Sequence, residues 1–160
     1  MFLAHTTITQ APEVAAAVVG ACRIGDSWGS DFQPRFLELL FRELIGVDID
    51  FTAINGINVQ EAAQSFPDPL QRLELIELMV LAEMMLNPVP SRLEAAVEYW
   101  ARELDVHDRS LVRARDVASQ AGQQAQSDFY RLFWMGEEDQ RQQGFDQLLK
   151  AHGPQAWTFT

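Results

Sequence analysis

The chain has 160 residues, long enough for one domain with a buried core, and its 48% apolar content is that of a globular rather than a disordered protein. It carries 23 acidic residues against 12 basic ones, and the resulting formal charge of −11 disfavours contact with a nucleic-acid backbone. A single cysteine, Cys22, excludes a disulfide framework and a cysteine-based zinc site, and fits a reduced, cytoplasmic setting.

The predicted elements are helical throughout. Pro12 suits a first helical turn, Val14, Val18 and Ala21 share a face, and Gly25 offers a stop, which predicts a helix over 12–24. The opening MFLAHTTITQ lacks the basic and long apolar regions of a signal peptide. A second helix follows over 32–45. Asp31 can cap it, Pro34 is tolerated in its first turn, Leu37, Leu40, Phe41 and Leu44 form its apolar stripe, and Gly46 ends it. Residues 47–57 have two readings. Val47, Ile49 and Phe51 alternate with Asp48 and Asp50 as in a short strand, or they dock on the core from an extended connector. They do not make a calcium loop, because Ala53 stands where the loop needs glycine and Val59 where it needs glutamate. A short helix over 59–65 is capped by Asn58.

Asp68-Pro69 opens the third main helix, over 69–86, and Asn87-Pro88 ends it. Its apolar stretch is too short to span a bilayer. Ser91 and Glu94 have capping-box spacing at the start of the next helix, which carries Leu93, Val97, Trp100 and Leu104 on one face. Asp108 can cap a last long helix over roughly 109–134. Its seam of Leu111, Ala118, Ala121, Ala125 and Leu132 is mostly small, so another helix or a ligand can approach closely. Residues 137–145 are polar, and the terminal PQAWTFT brings Trp157 and Phe159 back to dock. The expected architecture is all-α: one domain over 1–160, a bundle of about five to seven helices built around a central helical hairpin. Residues 137–160 would form a peripheral extension.

The segment FPDPLQRLELIELMVLAEMMLNPVPSRLEAAVEYWARELDV, residues 66–106, resembles the helix–turn–helix core of the TerB-like family, named from tellurite-resistance proteins. That core has an apolar helix ending in an Ala-Asp-Gly turn, a glutamate in the next helix and a Leu-Gly-Leu-type exit. Here the turn is Leu86-Asn87-Pro88-Val89, the glutamate is Glu94 and the exit is Leu104-Asp105-Val106. The resemblance covers roughly a quarter of the chain. It implies an all-helical domain of a family linked to membrane stress and multiprotein assemblies, whose members are not typically enzymes. The acidic turn associated with metal binding in that family is replaced here by Asn87-Pro88, so the resemblance implies no metal site.

The remaining chemistry is sparse. None of His5, His107 and His152 has a histidine or carboxylate at helical metal-ligand spacing on an obvious helix, and neither a phosphate loop nor a nucleophile motif occurs. Cys22 lies among small apolar residues and reads as a buried, inert thiol. The pairs Glu74/Glu77 and Glu94/Glu98 are at helical-turn spacing and read as solvated faces. Trp28, Trp100, Trp134 and Trp157 are too dispersed for a stacking platform.

Glu83 is different. On a helical wheel it falls in the apolar side of the 69–86 helix, among Leu73, Ile76, Val80, Met79 and Leu86. A buried carboxylate needs a partner, and Arg102, Arg113 and Arg115 are the candidates for a structural ion pair. Two functions follow. The first is a binding or scaffold module without cofactor or metal, contacting a protein partner or a second copy of itself. The second is a small-molecule-binding protein or enzyme with a pocket between the 69–86 and 109–134 helices. In that reading Glu83 is the anchor and Met79, Met84, Trp100 and Phe129 are the walls.

Overall fold

A computed structural model describes residues 8–133 apart from Asn87, with side-chain surroundings for residues 9–120 other than Glu43, Leu44 and Asn87. After a 3-10 turn over Ile8–Gln10 come six α-helices: α1 (Ala11–Cys22), α2 (Phe32–Ile45), α3 (Val59–Ser65), α4 (Pro69–Met84), α5 (Ser91–Glu103) and α6 (Asp108–Phe133). There is no strand among the described residues, and the architecture is an all-α bundle. No helix among them is long and apolar enough to cross a membrane.

The bundle is organised around α4, which packs against α1, α5 and α6. Its sequence explains why. Leu75, Ile76, Leu78, Met79, Val80, Leu81 and Ala82 run almost without a polar break, and all are fully buried. A helix that is apolar all round has no face to give to solvent and must be central. This corrects the reading of Glu74 and Glu77 as a solvated face: Glu74 is buried and Glu77 half-buried, because α6 and α1 cover the flanks a one-sided helix would expose.

Several helix ends follow local chemistry. Asn58 Oδ1 accepts from the Glu61 N–H at 2.9 Å while Glu61 Oε2 accepts from the Asn58 N–H at 2.8 Å, a complete capping box for α3. Asp68 Oδ1 accepts from the Leu70 N–H at 2.8 Å, and Pro69 occupies the first position of α4. Gly46 ends α2 in the left-handed region at φ 75°. Other expected caps do not form. Asp31 takes up helical backbone angles and makes no capping bond. Pro90 precedes α5, its carbonyl accepting from Leu93 and Glu94, so Ser91 and Glu94 make no capping box. Asp108 is the first residue of α6 rather than its cap, and the His107 carbonyl accepts from Ser110 and Leu111. Helix α1 ends at Cys22, and Gly25, at φ 65°, belongs to the turn that follows.

Residues 47–57 form a connector, not a strand. Its anchor is Phe51, fully buried, with ring centroids 5.1 Å from Phe41 and 6.5 Å from Trp28 in edge-to-face geometry. Glu38 Oε1 accepts from the Phe51 N–H at 3.2 Å, which fixes the connector to α2. Gln33, also fully buried, ties α2 to the centre. Its Nε2 donates to the Ala82 carbonyl at 2.7 Å and its Oε1 accepts from the Gly29 N–H at 2.8 Å. Ala82 lies in the last turn of α4, where carbonyls lack partners within the helix, so Gln33 supplies the missing donor.

The side chains of Leu44, Ala121, Ala125, Phe129 and Leu132, and the whole of His5, Asn87, Trp134, His152, Trp157, Phe159 and residues 137–160, lie outside the described residues.

Candidate functional site

Two arrangements stand out, one closed and one open. The closed one surrounds Glu83, the next-to-last residue of α4, which is 1% exposed. Arg115 of α6 donates from Nε to Glu83 Oε1 at 2.6 Å and from Nη2 to Oε2 at 3.2 Å. The same guanidinium donates from Nη1 to Glu98 Oε1 at 2.8 Å and from Nη2 to the Glu94 carbonyl at 3.1 Å. One side chain therefore joins three helices. Of the three arginines considered from the sequence, Arg115 occupies this position, while Arg102 and Arg113 are exposed. Burial pushes the Glu83 carboxyl above the ordinary carboxylate range. The Arg115 bonds pull it down, and Glu94 and Glu98 push it up again.

Both oxygens of Glu83 are engaged, so the carboxylate has the character of a structural clasp rather than an anchor open to a ligand. Met79 is fully buried in the core, and its carbonyl lies 3.7 Å from the Cys22 thiol. Met84 is half-buried, and Phe129 lies outside the described side chains. Cys22 is 2% exposed, and burial pushes its thiol far above the usual range, with the nearby Glu83 adding to the effect. Burial therefore favours its neutral thiol form. Glu77 is raised to about 7, first by burial and then by Glu74, with Arg113 opposing.

The open arrangement is a groove of about 430 Å³ on the α1, α3 and α5 side of the molecule. It is lined by Tyr99 and Trp100 of α5, by Gln60 of α3 and its cap Asn58, and by Arg23 just beyond α1. Trp100 lines this groove. The floor exists because two backbones nearly touch. A Cβ on Gly20 would stand 2.0 Å from the Ile57 carbonyl oxygen, and one on Gly56 would stand 2.7 Å from Gly20 Cα. Only glycine at both positions lets the connector cross α1 at this depth. The crossing is held by the Ile57 N–H donating to the Ala16 carbonyl at 3.1 Å and by Arg23 Nη1 donating to the Ile54 carbonyl at 3.2 Å.

Sequence reasoning passed over Arg23, Asn58 and Tyr99 as groove residues. The available signal was Gly20, which interrupts an Ala/Val helix at a cost of about 1 kcal/mol and so marks a close approach. Among the described residues, no group of three His, Cys, Asp or Glu side chains is placed to hold a metal ion. No family model, curated protein or solved structure matches the chain.

Proposed function

We propose that this chain is a helical binding module that works through protein–protein contacts, with the Tyr99–Trp100–Arg23 groove as its contact surface. The observation that carries this reading is the composition of the groove. Tyr99 is 44% exposed beside the nearly buried Trp100, and Arg23 faces the same opening. Tyrosine, tryptophan and arginine are the residues most enriched at the energetic centres of protein interfaces. The groove's floor is backbone fixed by a glycine crossing, so the surface is formed before a partner arrives, which lowers the ordering cost of binding. The likeness of residues 66–106 to the TerB-like core accords with a role in a stress-associated assembly, and α5 belongs to both the likeness and the groove.

In the rival reading Glu83 would anchor a ligand; that it is 1% exposed and paired with Arg115 supports the binding module instead. The test is site-specific photo-crosslinking in the source organism, with benzoylphenylalanine placed at Gln60 or Tyr99 in the groove and at Arg109 or Gln120 on α6. Discrete protein adducts from the groove positions alone are expected. Adducts from α6 alone would move the contact surface elsewhere.

A further inference from the structure

Resting on that reading, we infer that the groove takes an acidic peptide segment and that Arg23 receives its carboxylate. The chain has 23 acidic residues, yet the groove's lining contains no acid and one cation, Arg23. Arg23 is half-buried and spends one N–H on the Ile54 carbonyl, and no carboxylate of the described residues pairs with it. That single bond leaves the rest of its donor fork without a protein acceptor among the described residues, and Arg23 lines the opening. A guanidinium can take a carboxylate through two parallel charge-assisted bonds.

Asn58 also lines the groove. Its Oδ1 is committed to the Glu61 N–H by the capping box, and its NH₂ has no protein acceptor among the described residues. Tyr99 contributes an exposed ring for the apolar part of a side chain. The groove's lining therefore holds a cation with uncommitted donors and no acidic side chain, which suits a carboxylate-bearing ligand. The Glu61 carboxylate sits against Asn58, accepting from its backbone N–H at 2.8 Å, so the ligand's carboxylate is assigned to Arg23 and not to Asn58; exposed charges more than about 8 Å away are screened at physiological ionic strength. A peptide rather than a small acid follows from the reading of the groove as a protein-contact surface, whose lining is drawn from the α1, α3 and α5 segments.

The experiment is selection of a random dodecapeptide display library on the purified full chain, followed by titration of the enriched peptides. Peptides carrying Asp or Glu at a fixed position are expected. Arg23→Gln should weaken them roughly ten- to a hundredfold, the range for lost hydrogen bonds to a charged group. Exchanging the peptide's acid for its amide should cost wild type the same factor and cost the Arg23→Gln protein little. Thermal melts establish that the variant is folded, and Tyr99→Ala, at an exposed site, serves as a second groove variant. If enriched peptides lack acids, or bind Arg23→Gln unchanged while Tyr99→Ala abolishes binding, the carboxylate inference falls and the groove survives. If neither variant affects the peptides, the groove itself is wrong. If acetate or benzoate alone binds as tightly as the peptides, the occupant is a small acid and the peptide inference falls. If the chain self-associates and Arg23→Gln breaks the dimer, the occupant is a second copy, which also overturns it.

Discussion

Arg115 holds both oxygens of Glu83, with Nε at 2.6 Å from Oε1 and Nη2 at 3.2 Å from Oε2. The pair links the end of α4 to α6, and the bonds from the same guanidinium to Glu98 and Glu94 bring in α5. Glu83 is 1% exposed and the Arg115 side chain 16%. Removing one partner strands the other charge in the core, at about 3–5 kcal/mol. Arg115→Met should therefore lower stability by that order in urea unfolding. The double variant Glu83→Leu/Arg115→Met removes both charges and should recover most of the loss. Equal additive losses would show that the pair is not coupled.

Gln33 bridges Gly29 and Ala82 from a fully buried position. Gln33→Leu keeps the approximate volume but leaves the Ala82 carbonyl unpaired in the interior, at about 1–3 kcal/mol, and releases the Gly29 N–H of the exposed turn. The expected result is clear destabilisation, with faster amide exchange at Gly29. Exchange at Gly29 unchanged from wild type would contradict the bridge.

Glu77 stands at about 7 in the folded chain, above its ordinary value, because burial and Glu74 disfavour its charge. Between the ordinary carboxylate range and pH 7 the folded state therefore holds a proton that the unfolded state has released. Stability from this residue is fully present below the unfolded value and is lost as pH rises through about 7. Because Glu77 is partly solvated, the loss is of the order of 1–2 kcal/mol after screening. Unfolding free energy measured at pH 5 and pH 8 should show this decline, and Glu77→Gln should flatten it. A variant with the wild-type slope would contradict the assignment.

Gly20 tests the crossing on which the groove depends. In an open helix, Gly→Ala stabilises by about 1 kcal/mol. Here the new Cβ would stand 2.0 Å from the Ile57 carbonyl oxygen, which is backbone and cannot rotate away. Gly20→Ala should destabilise by about 1–3 kcal/mol and loosen the Ile57 amide in hydrogen exchange. A more stable variant would mean that the connector does not lie on α1.

Much of the helical order was legible because it rests on local signals. Asn58 and Asp68-Pro69 carry their caps in their own chemistry, and Gly46 its left-handed turn. Ser91 and Glu94 had the right spacing but lost to Pro90, whose fixed φ and free carbonyl start α5 without a side-chain cap. Glu83 could be placed inside because its neighbours are apolar. Glu74 and Glu77 were misplaced because a wheel assigns one face to solvent, whereas three helices surround α4. The groove was legible only through Gly20, whose place in an Ala/Val helix marks a close approach. Arg23, Asn58 and Tyr99 are far apart in sequence and meet only through the Gly20–Gly56 crossing, a tertiary contact that no periodicity encodes.

The proposal of a protein-binding groove is tested most directly by mapping amide chemical shifts of the full chain while titrating the tightest peptide from the random library. The expected result is a perturbed patch confined to Val19–Gly25, Gly56–Gln60 and Tyr99–Trp100, saturating with one peptide per chain and abolished by Tyr99→Ala. Perturbations centred on the exposed side of α6, at Arg109, Val112 and Asp116, with the groove amides unmoved, would contradict it.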